Sequence, residues 1–159
     1  MAVCSLDPAE MSSSDSKPDY AGDIDVREAW AMLEADPKAE LIDVRTAAEW
    51  NFVGLPDIGS LGREVRTIEW QNFPSRGPDP EFAAKLGAAL RQSGATADTP
   101  LLFLCRSGAR SRSAAIAMTQ AGYSKAFNVA SGFEGDPDGE GHRGNINGWK
   151  AASLPWRQS

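Results

Sequence analysis

Cys105 is the residue whose surroundings in the sequence point most clearly to chemistry. It directly follows the apolar segment Leu101–Leu104, a run typical of a strand that is buried on both faces of a parallel sheet. A helix is predicted soon after it, and the first N–H groups of a helix are unpaired and carry partial positive charge. Because helix starts and nearby cations favour the thiolate over the thiol, the sequence predicts a nucleophilic cysteine that attacks or carries an anionic group.

The loop after Cys105 supplies the groups that an anion would contact. Its N–H groups can form a nest around the sulfur, and Gly108 lets a tight loop close because glycine adopts backbone angles that other residues avoid. The predicted anion-binding residues are Arg106, Ser107, Gly108, Ala109, Arg110 and Ser111, and Arg112 adds further positive potential. An inert buried cysteine that ends a strand is the alternative, but it leaves the arginines and the glycine unexplained.

The position of the arginines bears on which anion is bound. Phosphatases that use a cysteine place an arginine six residues after it to clamp phosphate, whereas here Ser111 occupies that position and Arg110 falls one residue short. Leu104, not a histidine, precedes the cysteine. The loop is therefore one residue too tight for a tetrahedral phosphate and better suits a persulfide, which adds a single sulfur atom. A phosphatase or an arsenate reductase is the less favoured interpretation.

Short apolar segments alternate with helical patterns along the chain, which predicts an α/β domain with a mainly parallel sheet. Capping-box patterns at Asp25/Glu28 and Thr46/Glu49 begin two short helices. A third helix is predicted from Asp79, with proline at its first position, and ends at Gly94. A fourth follows the cysteine loop and ends at Gly122. The predicted strands are 41–44, 65–70, 101–104 and 126–129, and 54–64 is predicted as loop.

The two ends of the chain differ in character from its middle. Residues 1–22 are rich in Ser, Asp and Pro and are predicted to be a disordered tail, so a single domain is expected over 23–159. Within it, 131–159 is rich in glycine and loops, and Trp149 and Trp156 are expected to dock this segment by apolar burial. The first residues lack the basic and apolar regions of a signal peptide.

Composition excludes several classes of function. The 159 residues carry a net charge of −6, so we expect no binding to nucleic acid. No apolar run approaches the ~20 residues of a membrane span, so no membrane association is expected. The two cysteines and one histidine cannot build a Cys/His zinc site, and we expect neither a metal nor a cofactor. Cysteine usage fits a reducing cytoplasm.

Three segments, one of which contains the cysteine loop, carry the resemblance to a known family. These are ELIDVRTAAEW (40–50), PLLFLCRSGARS (100–111) with the helix SAAIAMTQAGY after it, and FNVASGFEG (127–135). In this order and spacing the sequence resembles the rhodanese-like family of thiosulfate sulfurtransferases over most of residues 20–150. The resemblance implies a rhodanese-like three-layer sandwich, in which helices flank a mainly parallel central sheet. The sequence departs from the family after Glu49, because it lacks a histidine that family members often have in that segment.

The resemblance also implies a transfer mechanism. Cys105 would take the outer sulfur of a small anionic donor such as thiosulfate, hold it as a persulfide, and pass it to a thiol or protein-thiol acceptor. Asp43 and Arg45 match the Asp-Val-Arg of the family and are expected either to brace the site or to be purely structural. A non-catalytic module of the same fold, which carries sulfur or binds a protein partner through Cys105, is the alternative.

Weaker signals lie outside the cysteine loop. Asp136, Asp138 and Glu140 have part of the spacing of a calcium loop, but Asn147 stands where the bidentate glutamate should be. His142 is expected to be a surface residue and not a base for Cys105. Cys4 is a remote candidate for a resolving thiol.

Overall fold

The computed structural model describes residues 19–71 and 78–158. Cys4 and the predicted tail over 1–18 lie outside the described residues. The sequence places the start of the folded domain at residue 23, but Tyr20 is already buried and the Ala21 N–H donates to the Ala126 carbonyl oxygen at 2.9 Å. The ordered body therefore extends at least to Tyr20.

A parallel sheet is the centre of the fold. Five strands of the described region form it: β1 (Gly22–Ile24), β2 (Glu40–Asp43), β4 (Arg66–Thr67), β5 (Leu101–Leu104) and β6 (Ala126–Val129). Their order in the sheet is β1-β6-β5-β2-β4, and each neighbouring pair is parallel. All four residues of β5 are buried, as expected for the central strand of a sheet covered on both faces.

Four α-helices are described, and two of them begin with the predicted capping boxes. They are α1 (Val26–Ala35), α2 (Ala47–Phe52), α3 (Phe82–Gln92) and α4 (Ala109–Gln120). Asp25 accepts from the Glu28 N–H while Glu28 accepts from the Asp25 N–H, and Thr46 and Glu49 do the same at α2. These reciprocal bonds satisfy N–H groups that a helix start leaves unpaired.

Alternation along β5 builds two cores, one on each face of the sheet. Leu101 and Phe103 point to the side covered by α3 and α4, and Leu102 and Leu104 point to the side covered by α1. Cys105 continues the first set, so its side chain belongs to the α3/α4 core. The three-layer α/β sandwich predicted from the sequence is thus the observed fold.

The C-terminal segment completes the layer that contains α1. Phe133 and Trp149 are fully buried in that core, and the Trp149 Nε1–H donates to the Pro155 carbonyl oxygen at 2.6 Å. Trp156 is 40% exposed, so it is less buried than the sequence predicts. Its ring instead meets the edge of Phe133 at a centroid distance of 6.1 Å.

Several predicted boundaries need correction. The predicted loop over 54–64 contains β3 (Leu55–Pro56), which pairs antiparallel with β7 (Trp156–Arg157). The predicted strand over 65–70 is reduced to β4. The helix predicted from Asp79 begins at Phe82, because the Asp79 carboxylate accepts from the Glu81 N–H and forms a turn ahead of the helix. Within 19–71 and 78–158, the helices are too short or too polar to cross a membrane.

Candidate active site around Cys105

The Cys105 sulfur lies at the carboxyl end of β5, where the chain turns into α4. The Gly108 N–H donates to Sγ at 3.2 Å and the Ser111 N–H donates to it at 3.4 Å. The Ser111 hydroxyl lies 3.2 Å from the same sulfur. Two amides and one hydroxyl therefore surround Sγ, and amide donors at the start of a helix stabilise negative charge on sulfur.

Gly108 is required for this turn. It has a φ of 110°, in the region that residues with a side chain avoid. A Cβ atom at this position would stand 2.1 Å from the Ala130 carbonyl oxygen. The cysteine loop consequently packs backbone against backbone on the segment that follows β6.

That segment fixes the loop through its own hydrogen bonds. The Phe133 N–H donates to the Cys105 carbonyl oxygen at 2.8 Å, and the Glu134 N–H donates to the Arg106 carbonyl oxygen at 3.0 Å. Gly132 approaches so closely that a Cβ there would lie 2.5 Å from the Arg106 carbonyl oxygen. The Gly-rich stretch after β6 therefore holds the carbonyl side of the loop, which leaves the amide side facing the sulfur.

Arg110 does not stand free beside the sulfur. Its two terminal nitrogens donate to the two carboxylate oxygens of Glu49 at 2.8 and 2.9 Å. The hydrogen bond with Glu49 raises the pKa of Arg110. Burial alone would raise the pKa of Glu49, but the bonds from Arg110 and Thr46 outweigh it and lower that pKa to about 2. The charge of Arg110 is thus largely neutralised by a partner that the sequence did not assign to the site.

The other predicted loop residues are spread between the site and solvent. The Arg112 guanidinium lies 5.9 Å from the centre of the Tyr20 ring. Arg106 is exposed, and no ion pair to it is found in the described part of the chain. Ser107 is half-buried in the turn, and Ala109 is exposed as the first residue of α4. Arg106 is therefore the exposed arginine of the loop for which the described residues supply no ion pair.

Asp43 and Arg45 form a closed pair next to the loop. Both side chains are fully buried, and Arg45 Nη2 donates to Asp43 Oδ2 at 2.7 Å. Arg45 also donates to the Gly54 carbonyl oxygen and lies 4.3 Å from the centre of the Phe133 ring. The pair ties the end of β2 to the segment around Phe133 and donates no hydrogen bond to Sγ. That it braces the site stays a prediction, beside the alternative of a purely structural pair.

A series of hydrogen-bonded side chains leads from the sulfur through Ser111 to β6 and β1. The Ser111 hydroxyl lies 2.6 Å from Asn128 Oδ1, and Asn128 Nδ2 lies 3.0 Å from Asp23 Oδ1. Asn128 and Glu49 are the site residues that the sequence missed. A polar residue inside the apolar strand β6 was the available signal for Asn128, whereas Glu49 was already explained by its capping box.

The remaining candidates lie elsewhere. His142 is exposed. Asp138 accepts from the N–H groups of Glu140 and His142, and Asp136 accepts from the Asn147 amide, so the loop uses these carboxylates internally. In 19–71 and 78–158 no group of three or more His, Cys, Asp or Glu side chains is arranged to hold a metal ion.

The surroundings of Cys105 also limit access to it. The residue is only 1% exposed, although reactive cysteines are usually partly accessible. The cysteine is therefore almost closed to solvent in this structure.

Comparison with known proteins places this site in context. The family model of the STR4 middle domain matches residues 21–159. An uncharacterised protein of Rickettsia prowazekii is 33% identical over 129 residues, which cover 81% of this chain and 91% of that protein. The chloroplastic rhodanese-like domain-containing protein 4 of Arabidopsis thaliana is 27% identical over 140 residues, covering 88% of this chain and 26% of that protein.

Two solved structures resemble the fold. The crystal structure of Rv0390 from M. tuberculosis is 49% identical with a TM-score of 0.77, and the match covers 88% of this chain and 99% of that one. The polysulfide-sulfur transferase homodimer of Wolinella succinogenes is 19% identical with a TM-score of 0.54, and the match covers 95% of this chain and 86% of that one. At such identity the second likeness concerns the fold alone.

Proposed function

This chain belongs to the family of the STR4 middle domain and has a rhodanese-like fold, and from its cysteine loop we propose that it is a sulfurtransferase that carries sulfane sulfur as a persulfide on Cys105. The observation that carries the proposal is the pair of amides, from Gly108 and Ser111, that point at Sγ. Donors in this position support an anionic sulfur without a metal or a second catalytic side chain.

The transfer consists of two displacements at sulfur. The Cys105 thiolate attacks the outer sulfur of a donor such as thiosulfate, an S–S bond forms, and sulfite leaves with the electron pair of the broken bond. A thiophilic acceptor, such as cyanide, a small thiol or a protein thiol, then attacks the outer sulfur. Cys105 leaves as the thiolate, so no external oxidant or reductant is required.

The charges around the loop bear on the donor. With Arg110 held by Glu49, Arg106 is the exposed cation on the loop and the residue that we propose steers an anionic donor. A protein whose net charge is −6 otherwise repels such a donor. The same arrangement argues against a phosphatase, because Arg110, which lies one residue short of the position of a phosphate-clamping arginine, already forms both of its paired bonds with a carboxylate.

A non-catalytic sulfur carrier or interaction module is the second candidate. The observation that favours it is the 1% exposure of Cys105, which slows any small molecule that must reach the sulfur. Such a module would accept sulfur and yield it to a protein partner that opens the loop. It differs from the enzyme in turnover and not in loading.

Intact-mass measurement after incubation with thiosulfate tests the proposal. The reduced wild-type protein is expected to gain the mass of one sulfur atom, and Cys105→Ser is expected to gain none. Cys4→Ser is the matched control, because it removes the other cysteine of the chain and should retain the adduct. Added cyanide should then remove the sulfur and release thiocyanate.

The outcomes separate the candidates. Loading followed by negligible thiocyanate release would favour the carrier. A wild-type protein that gains no mass from thiosulfate or from a polysulfide overturns both interpretations. Hydrolysis of a generic aryl phosphate that disappears in Cys105→Ser would instead restore the phosphatase interpretation.

A further inference from the structure

The hydroxyl of Ser111 has two neighbours but only one proton to share between them. Its oxygen lies 3.2 Å from Cys105 Sγ and 2.6 Å from Asn128 Oδ1. All three side chains are buried. Which neighbour receives the proton decides whether Ser111 donates to the sulfur or accepts from it.

The rest of the hydrogen-bond chain settles this choice. Asp23 Oδ1 receives the Tyr20 hydroxyl at 2.8 Å and Asn128 Nδ2 at 3.0 Å. A carboxylate only accepts, so the amide nitrogen of Asn128 must face Asp23 and its oxygen must face Ser111. An amide oxygen cannot donate, and the Ser111 proton therefore points to Asn128 and away from Sγ.

Tyr20 reinforces the direction of this chain. Its burial, together with its hydrogen bond to Asp23, raises the pKa of the phenol, so Tyr20 remains a donor over the usual pH range. Asp23 is thus held as an acceptor for Asn128 even though its own side chain lies at the exposed edge strand β1.

We propose that Asn128 is a positioning residue that restrains the reactivity of Cys105 by keeping the Ser111 hydroxyl proton away from the sulfur. In this state Ser111 accepts from the thiol, which favours the protonated sulfur. When Cys105 ionises, the two amides remain on Sγ, but Ser111 can add its own hydrogen bond only by turning its proton to Sγ and leaving Asn128 Oδ1 without a donor. The restraint shifts the equilibrium between the thiol and the reactive thiolate of Cys105. Its relevance to sulfur transfer rests on the proposed function.

Other charged groups around Cys105 come from every neighbouring element. Arg110 interacts with the charge of Cys105 and is itself paired with Glu49. The remaining charged or titratable groups on elements around the loop are Asp43 and Arg45 after β2, Asp23 and Tyr20 near β1, Arg106 and Arg112 on the loop and α4, and Glu134 after β6. Substitution of Asn128 by an uncharged residue leaves all of them in place.

The pH dependence of alkylation by iodoacetamide measures this restraint without relying on sulfur transfer. A Cys4→Ser background leaves Cys105 as the only thiol. In Asn128→Leu, whose side chain is similar in size but forms no hydrogen bond, the Ser111 proton is free to turn to Sγ. The alkylation midpoint is expected to move down by about one pH unit, since a hydrogen bond to a charged group is of that size.

Ser111→Ala is the control that distinguishes a redirected hydroxyl from a general structural effect of the Asn128 substitution. In a Ser111→Ala background, Asn128→Leu is expected to leave the midpoint unchanged, because no hydroxyl remains to be redirected. A downward shift that persists without Ser111, or a midpoint that stays or rises when Ser111 is present, overturns the proposal. Loss of sulfur loading with an intact alkylation shift would contradict the proposed function alone.

Asp23→Asn tests the same chain from its exposed end, where folding is least disturbed. An amide at this position can donate as well as accept, so the Asn128 amide group can rotate by half a turn. Its oxygen then faces residue 23 and no longer accepts from Ser111. We expect a smaller downward shift of the alkylation midpoint, again dependent on Ser111. A shift of equal size in Ser111→Ala would reflect only the lost carboxylate charge and would count against the proposal.

Discussion

Glu49 has two structural roles, and its substitution separates them. It completes the capping box of α2, where the Thr46 N–H donates to Glu49 Oε2 at 3.0 Å. It also receives both terminal nitrogens of Arg110 and so links α2 to the cysteine loop, 61 residues along the chain. Glu49→Gln keeps the shape of the side chain and part of the capping box but removes the charge that pairs with Arg110.

The expected magnitude follows from the pKa of Glu49. Its pKa falls from 4.5 to about 2 on folding, and each unit corresponds to about 1.4 kcal/mol, so the ionised carboxylate contributes at most about 3 kcal/mol to the free energy of unfolding. The two side chains are 22% and 21% exposed, so solvent screening reduces this to about 2 kcal/mol. A carboxyl pKa that is lowered by folding gives stability that is complete above pH 4.5 and is lost as the pH falls towards 2.

Urea denaturation of wild-type protein and Glu49→Gln at several pH values measures this contribution. At pH 7 the variant should be less stable by about 2 kcal/mol, and the difference should shrink as the pH falls from 4.5 towards 2. Glu28→Gln is the matched control, because Glu28 holds the same capping-box position in α1 and forms no ion pair in the described part of the chain. It should cost about 0.3–1 kcal/mol, because glutamine still completes the capping box and only the negative charge at the helix start is lost.

Two results would refute this reasoning about Glu49. One is a stability difference between wild type and Glu49→Gln that is the same at pH 7 and at pH 2.5, because the lost interaction would then not be ionic. The other is an effect no larger than that of Glu28→Gln, because the capping box alone would then account for it.

Two further substitutions test the frame of the site. Gly108→Ala should abolish sulfur loading of Cys105 in the intact-mass measurement, because its Cβ would meet the Ala130 carbonyl oxygen at 2.1 Å. Gly122→Ala, with a similar φ of 109° and no atom within 4 Å of the added Cβ, should cost only about 1–2 kcal/mol and keep the loading. Asp43→Asn should lower the free energy of unfolding by about 3–5 kcal/mol, since it leaves the buried Arg45 charge unpaired; a loss below about 1 kcal/mol in urea denaturation would contradict this role.

The parts of the fold that the sequence predicted correctly depend on neighbouring residues. The capping boxes at Asp25 and Thr46 join residues three apart, and the apolar segment of β5 is buried as a continuous run. Such signals depend on backbone N–H groups and side-chain periodicity within one element. They fixed the order of elements, and that order places Cys105 at the carboxyl end of a central strand.

The parts that the sequence missed depend on residues far apart in the chain. β3 pairs with β7 across about one hundred residues, so Leu55–Pro56 gave no local indication of a strand. Pairing of Arg110 with Glu49 is equally non-local, and Glu49 already had a sufficient local explanation in its capping box. The sequence therefore predicts a shared positive field from the arginines of the loop, whereas the structure engages Arg110 and Arg112 with other residues.

This difference changes the physical account of the candidate nucleophile. If the arginines supplied the main stabilisation of an anionic sulfur, a neutralised Arg110 and an Arg112 placed over Tyr20 would leave the site weak. The donors that actually touch Sγ are backbone amides of Gly108 and Ser111, whose direction is fixed by the turn and by the segment after β6. Amides held in this way need no reorganisation when charge develops on sulfur. The shape of the loop, more than its charge, therefore determines what Cys105 can do. The Ser111 hydroxyl differs from the two amides because it can rotate, so its direction adjusts the stabilisation of charge on Sγ.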